Sequence, residues 1–142
     1  MNTNISFTTS DILIEELSFV NNLAEEDSIE IKIKTSHENF DVNNLAFHLD
    51  GYGDQLLTTS TSIDDITLTY NNDKVNNTAT YTISGLEEGN IYEITDASID
   101  NDHSTWVEFD LTIDLSNLDL FMVITTIIIL LLILLFIIYL LI

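Results

Sequence analysis

The 142-residue chain has no cysteine and no proline, carries three lysines and no arginine against 24 acidic residues, and has a formal net charge of −21. Without cysteine there is no disulfide framework, thiolate nucleophile, cysteine zinc site or iron–sulfur cluster. With Lys32, Lys34 and Lys74 as its fixed cations, the chain cannot neutralise a row of phosphates, which excludes nucleic acid and makes anionic headgroups poor partners.

So many uncompensated carboxylates repel one another and oppose a compact state unless salt screens them. Disorder and adaptation to a high-salt surrounding both fit that charge. The alternating apolar residues described below argue against disorder, and the halophilic reading is preferred.

The first residues, MNTNISFTTSDIL, lack the basic and long apolar regions of a secretory signal. The domain is therefore expected either to stay on the side where it is made or to be exported by an unusual route. Asn4-Ile5-Ser6 and Asn76-Asn77-Thr78 fit the glycosylation acceptor pattern, but a chain this rich in Asn, Ser and Thr yields such triplets by chance, so the motif alone carries no weight.

From Thr9 to Ala24 two patterns compete. Leu13, Leu17, Val20 and Ala24 fit a helical face, whereas Ile12, Ile14 and Phe19 fit strands. Strand is preferred, because a sandwich needs a first edge strand and the following NNLAEEDS reads as a turn. Period-two alternation then sets in at Ile29, Ile31 and Ile33, and a further strand is expected from Leu45 to Leu49. DGYGD, residues 50–54, holds two of the four glycines. It lacks EF-hand ligand spacing and is expected to be a glycine-rich connection. Ile66, Leu68 and Tyr70 continue the alternation, followed by strands at Ala79–Ser84 and Ile91–Ile99. Val107, Phe109, Leu111, Ile113 and Leu115 alternate with Glu108, Asp110, Thr112 and Asp114. About seven short strands, each with one apolar face, predict an all-β antiparallel β-sandwich over residues 1–115.

Within TISGLEEGNIYEI, residues 82–94, the string Ile83, Gly85, Leu86, Gly89, Tyr92 and Ile94 resembles the corner between the E and F strands of fibronectin type III domains. The resemblance implies a related immunoglobulin-like sandwich. In that reading Leu86 plugs the core where the chain crosses between sheets, Gly89 takes a positive φ, and the Tyr92 hydroxyl bonds upstream backbone. Two features depart from the family: Glu88 replaces its usual proline, and its strand-B tryptophan is missing. Asp96 stands where the alternation calls for an apolar residue, so a bulge or an early strand end is expected there. The resemblance implies a binding or spacer module and names no active site.

Asp100, Asn101, Asp102 and His103 form the expected hairpin loop before the last strand. Asp100 and Asp102 could supply oxygens to calcium, although a solvated acidic turn is the plainer reading in so acidic a chain. Asn101 and His103 are candidate partner contacts, as is Trp106, expected on the solvent-facing phase of the last strand. His37, His48 and His103 are scattered and adjoin no nucleophile in sequence.

Residues 116–120, SNLDL, are expected to be a short spacer reaching at most about 17 Å. Residues 121–142 carry no charge and, as a helix, would extend about 33 Å, enough for a hydrocarbon core of about 30 Å. They are expected to be a single C-terminal transmembrane helix in contact with the lipid bilayer. No lysine or arginine flanks it, so sidedness is open, with an extracellular or virion-associated domain favoured. The expected function is a non-enzymatic structural protein of an envelope, virion membrane or surface layer, with protein partners or self-assembly. The alternative is a membrane-displayed adhesion or ligand-binding module using calcium.

Overall fold

A computed structural model describes residues 11–20, 27–100 and 103–142, with backbone alone at residues 103 and 117–121. Strand β1, Ile14–Phe19, lies in the segment with two competing patterns. Residues 9, 10 and 21–24 of that segment lie outside the described residues. In β2, Ile29–Thr35, Ile29, Ile31, Ile33 and Thr35 are buried while Glu30, Lys32 and Lys34 face solvent. The branched side chains fill a pleated face from one side only. Strand β3, Ala46–Leu49, follows a 3-10 turn at Val42–Asn44 whose start is held by the Asp41 carboxylate accepting from the Asn43 amide at 2.9 Å. The remaining strands are β4, Leu56–Thr58; β5, Thr67–Tyr70; β6, Thr78–Ser84; β7, Ile91–Ser98; and β8, Val107–Asp114.

The eight strands among the described residues form two four-stranded antiparallel sheets, β1-β2-β6-β5 and β4-β3-β7-β8. The inward faces share one core, in which Ile31, Ile33, Phe47, Leu57, Tyr81 and Ile83 have no exposed surface. Tyr81 keeps its polar end satisfied by donating its hydroxyl to the Val42 carbonyl at 2.6 Å. Burial pushes that phenol well above its ordinary range. The strand beyond the expected seven is β4, whose three residues are too short for alternation to reveal.

The expected irregularity at Asp96 is a bulge. Opposite β3, His48 pairs with Asp96 but Leu49 with Ile94, and the register against β8 shifts over the same interval. Thr95 is the extra residue. The shift lets Ile94 and Ala97 both face the core and turns Asp96 outward beside His48, an effect expected of a bulge.

Gly85 leaves β6 with φ +81, and a Cβ there would collide with the Asp65 backbone carbonyl. The chain then crosses to the other sheet, with the Leu86 amide bonded to the Asp27 carbonyl at 2.9 Å.

The junction with the helix differs from the expected spacer. Helix α1 runs from Ser116 to Leu141, so residues 116–120 are helical rather than extended. SNLDL contains no helix breaker, and the Asp114 carboxylate accepts from the Ser116 amide at 2.9 Å and from its hydroxyl at 2.5 Å. Those bonds hold the Asp114 carboxyl below its ordinary range. Leu115 is buried and ties the junction to the domain, its amide donating to the Asn90 carbonyl and its carbonyl accepting from the Gly89 amide, both at 2.9 Å. Within α1, Met122–Leu141 is long and apolar enough to cross a membrane, and none of it is buried against the domain. Thr126 returns its hydroxyl to the Met122 carbonyl at 2.9 Å, so it does not interrupt the span.

Candidate functional site: an acidic and aromatic face

The β7 bulge builds the most distinctive surface of the sandwich. It brings Asp96 within 2.6 Å of His48 Nδ1, with both side chains about one-third exposed or less, at 34% and 26%. Trp106 stands just before β8, and its ring lies 5.1 Å from that of His48 at an interplanar angle of 30°. Behind it, Ser98 and Thr105 share a buried hydroxyl bond of 2.5 Å, which fixes the base of the loop carrying the indole. Trp106 Nε1 is shielded from solvent and has no hydrogen-bond partner among the described residues. An unpaired buried donor carries a desolvation cost of about 1 to 3 kcal/mol.

Beside this group a shallow pocket of about 300 Å³ is lined by His48, Asp50, Gly51, Gly53, Asp54 and Asp96, among others. DGYGD is thus both a connection and a pocket wall. Gly51 and Gly53 have φ of +87 and +63, and a Cβ on either would meet open space. The lining offers carboxylate acceptors and an imidazole, which suits a ligand bearing hydroxyl or cationic donors.

The sequence candidates distribute unevenly around this face. Asp100 is exposed two residues after the end of β7, whereas Asn101 and Asp102 lie outside the described residues. His103 opens a 3-10 turn, His103–Thr105. Among the described residues no three His, Asp or Glu side chains are placed to hold a metal ion. His37 lies beyond the end of β2, 2.9 Å from the Ser36 hydroxyl. Trp106, expected on the outward phase of the last strand, is instead partly buried ahead of it. The His48–Asp96 pair was missed as a site. Its signal was the acidic residue in an apolar phase, and its partner lies 48 positions away.

At the corner, Leu86 is 2% exposed and Gly89 has φ +85. The buried Tyr92 accepts at its hydroxyl oxygen from the Glu87 amide at 3.0 Å. Across the outer surface, a hydrogen bond with Asp110, desolvation and the charges of Asp110 and Asp50 together raise the Glu93 carboxyl above its ordinary range.

Trp106 is the single tryptophan of the chain, so its emission reports this face alone. His48→Ala is expected to open the indole to water and move its emission to longer wavelength, because the imidazole ring packs 5.1 Å from it. An unchanged emission maximum in the variant would mean that the two rings are not packed together.

No family model matches the chain, and no curated protein or solved structure matches it. The fold defines an all-β, two-sheet sandwich followed by one long apolar helix.

Proposed function

We propose that this chain is a non-enzymatic, single-pass structural protein of an envelope, virion membrane or surface layer in a high-salt setting. Its domain is read as a fibronectin type III-like or immunoglobulin-like sandwich. The observation that carries the structural role is the junction: α1 begins one residue after Leu115, which belongs to the core and is hydrogen-bonded on both sides. A ligand-seeking module gains from a flexible stalk, whereas a tile in a packed layer gains from a stiff, short connection to its membrane.

Two observations support the family reading. Lettered in chain order A, B, C, C′, D, E, F and G, the sheets read ABED and C′CFG, the immunoglobulin constant-type arrangement with one added strand. The Tyr92 hydroxyl also reaches back to the backbone of Glu87, as a tyrosine corner does.

Charge placement supports the salt requirement. Asp27, Asp64, Asp65, Glu87, Glu88 and Asp114 are exposed at the end of the sandwich from which the helix leaves. Lys34 and Lys74 lie toward the opposite end, with Lys34 opposite Thr78 and Lys74 bonded to the Phe40 carbonyl at 3.0 Å. Like charge this close to the headgroups needs screening.

The pocket beside His48, Asp96 and Trp106 favours a second reading, a displayed adhesion module for a partner rich in basic or hydroxyl groups, with calcium at Asp100 and Asp102. Reconstituting the full chain at high density in bilayers under molar salt separates the two. Ordered arrays that persist in an Asp100→Asn, Asp102→Asn variant are the expected result. Scattered monomers that cluster only on adding calcium would overturn the structural role.

A further inference from the structure

Of the two acceptor triplets in the sequence, Asn4-Ile5-Ser6 lies outside the described residues and Asn76-Asn77-Thr78 sits on a defined turn. Val75 and Thr78 exchange backbone hydrogen bonds of 2.9 and 3.0 Å, leaving Asn76 and Asn77 as a two-residue hairpin loop between β5 and β6. Asn76 takes φ +53, a conformation asparagine tolerates better than most residues.

The two asparagines are not equivalent. The Asn77 side chain donates to the Thr35 carbonyl at 2.7 Å, and its own carbonyl accepts from the Thr35 amide at 2.8 Å. Asn76 is exposed at the tip. The rest of the loop is fastened, with the Lys74 amide donating to the Tyr70 hydroxyl oxygen at 2.9 Å. Val75, beside Asn76, is 67% exposed, an apolar surface that none of the described residues covers. The tip lies at the end of β6 opposite the corner and the helix junction.

We propose that Asn76 is an N-linked glycan acceptor, with the sugar shielding Val75 and the outer end of the sandwich. The Asn76 side-chain nitrogen would attack the anomeric carbon of a lipid-pyrophosphate-linked sugar. A carbon–nitrogen bond forms, the carbon–oxygen bond to pyrophosphate breaks, the lipid pyrophosphate leaves and the amide proton passes to a base of the transferase. Thr78 supplies the hydroxyl two residues on that the acceptor pattern requires. A glycan at this turn displaces no hydrogen bond among the described residues, because Asn77 holds the turn to β2. The proposal rests on the reading that the domain faces away from the cytoplasm.

The test uses the full chain with Asn4→Gln, translated into glycosylating membranes. The expected result is a mass shift of one glycan, removed by a peptide-N-glycosidase and absent in Asn76→Gln and in Thr78→Ala. A parallel variant, Ser60→Asn, sets a second acceptor ahead of Thr61 and Ser62 in an exposed loop at the same distal end. A glycan on that engineered site but none on Asn76 overturns the proposal while leaving the outward orientation intact. No glycan on either overturns both, because the domain has then not crossed the membrane.

Discussion

Replacing Leu86 by alanine is expected to destabilise the domain by about 2 to 5 kcal/mol, the range for removing a leucine from a core that cannot collapse around the gap. Leu86 is 2% exposed, and its surroundings are held from several directions. Its amide is bonded to Asp27. Gly85 before it packs so closely on the Asp65 carbonyl that an added Cβ would collide with it. The Tyr92 hydroxyl ties down the Glu87 amide just after it. A cavity here has rigid walls, so the cost should fall toward the upper part of the range. Tyr92→Phe removes one hydrogen bond but no packing and should cost about 0.5 to 1.5 kcal/mol. Urea unfolding in molar salt, followed through Trp106 emission, measures both. A Leu86→Ala loss below about 1 kcal/mol would mean that the crossing is not plugged by this side chain.

The sandwich was legible because most strands announce themselves by one-sided burial. β2 and β6 alternate without a break, so period two predicted both, and the bulge was readable from Asp96 interrupting the apolar phase of β7. What escaped was either too short or fixed by distant contacts. β4 has three residues, fewer than a period needs. Ser116 to Leu120 read as a spacer because polar and apolar residues mix there, yet Asp114 supplies the bond that lets a helix begin at once. The face at His48 was hidden for a different reason. Its parts come from β3, the β7 bulge and the residue before β8, and only the register brings them together. The corner needed no long-range information, since Gly85, Leu86, Gly89 and Tyr92 all lie within one short stretch of chain.

Acidification from neutral pH is expected to raise the melting temperature of this domain at low salt, the opposite of ordinary acid denaturation. The Glu93 carboxyl is raised in the folded state, first by its hydrogen bond with Asp110. The folded chain therefore holds that proton more tightly than the unfolded chain. The resulting stability is fully present below the ordinary carboxyl value of 4.5 and is lost as pH rises through the higher folded value. Asp114 works in the other direction. Its hydrogen bonds from Ser116 lower it, so its contribution is present above the ordinary 3.8 and is lost only as pH falls through a still lower value. Between these limits both groups favour the fold, and each further proton also reduces a net charge of −21. Stability should peak on the acid side, near about pH 4 to 5, rather than in the more usual range of about 5 to 8. Salt must erase much of the effect at exposed carboxylates, because screening shortens from about 10 Å at 0.1 M to about 3 Å at 1 M. Glu93→Gln removes the repulsion at every pH. It should melt higher than the parent chain at neutral pH and low salt, show a flatter acid rise, and converge with the parent at 1 M salt. A melting temperature that falls steadily from pH 7 to 5 at low salt would mean that these carboxylates are already paired in the fold. The net charge would then no longer argue for a high-salt setting.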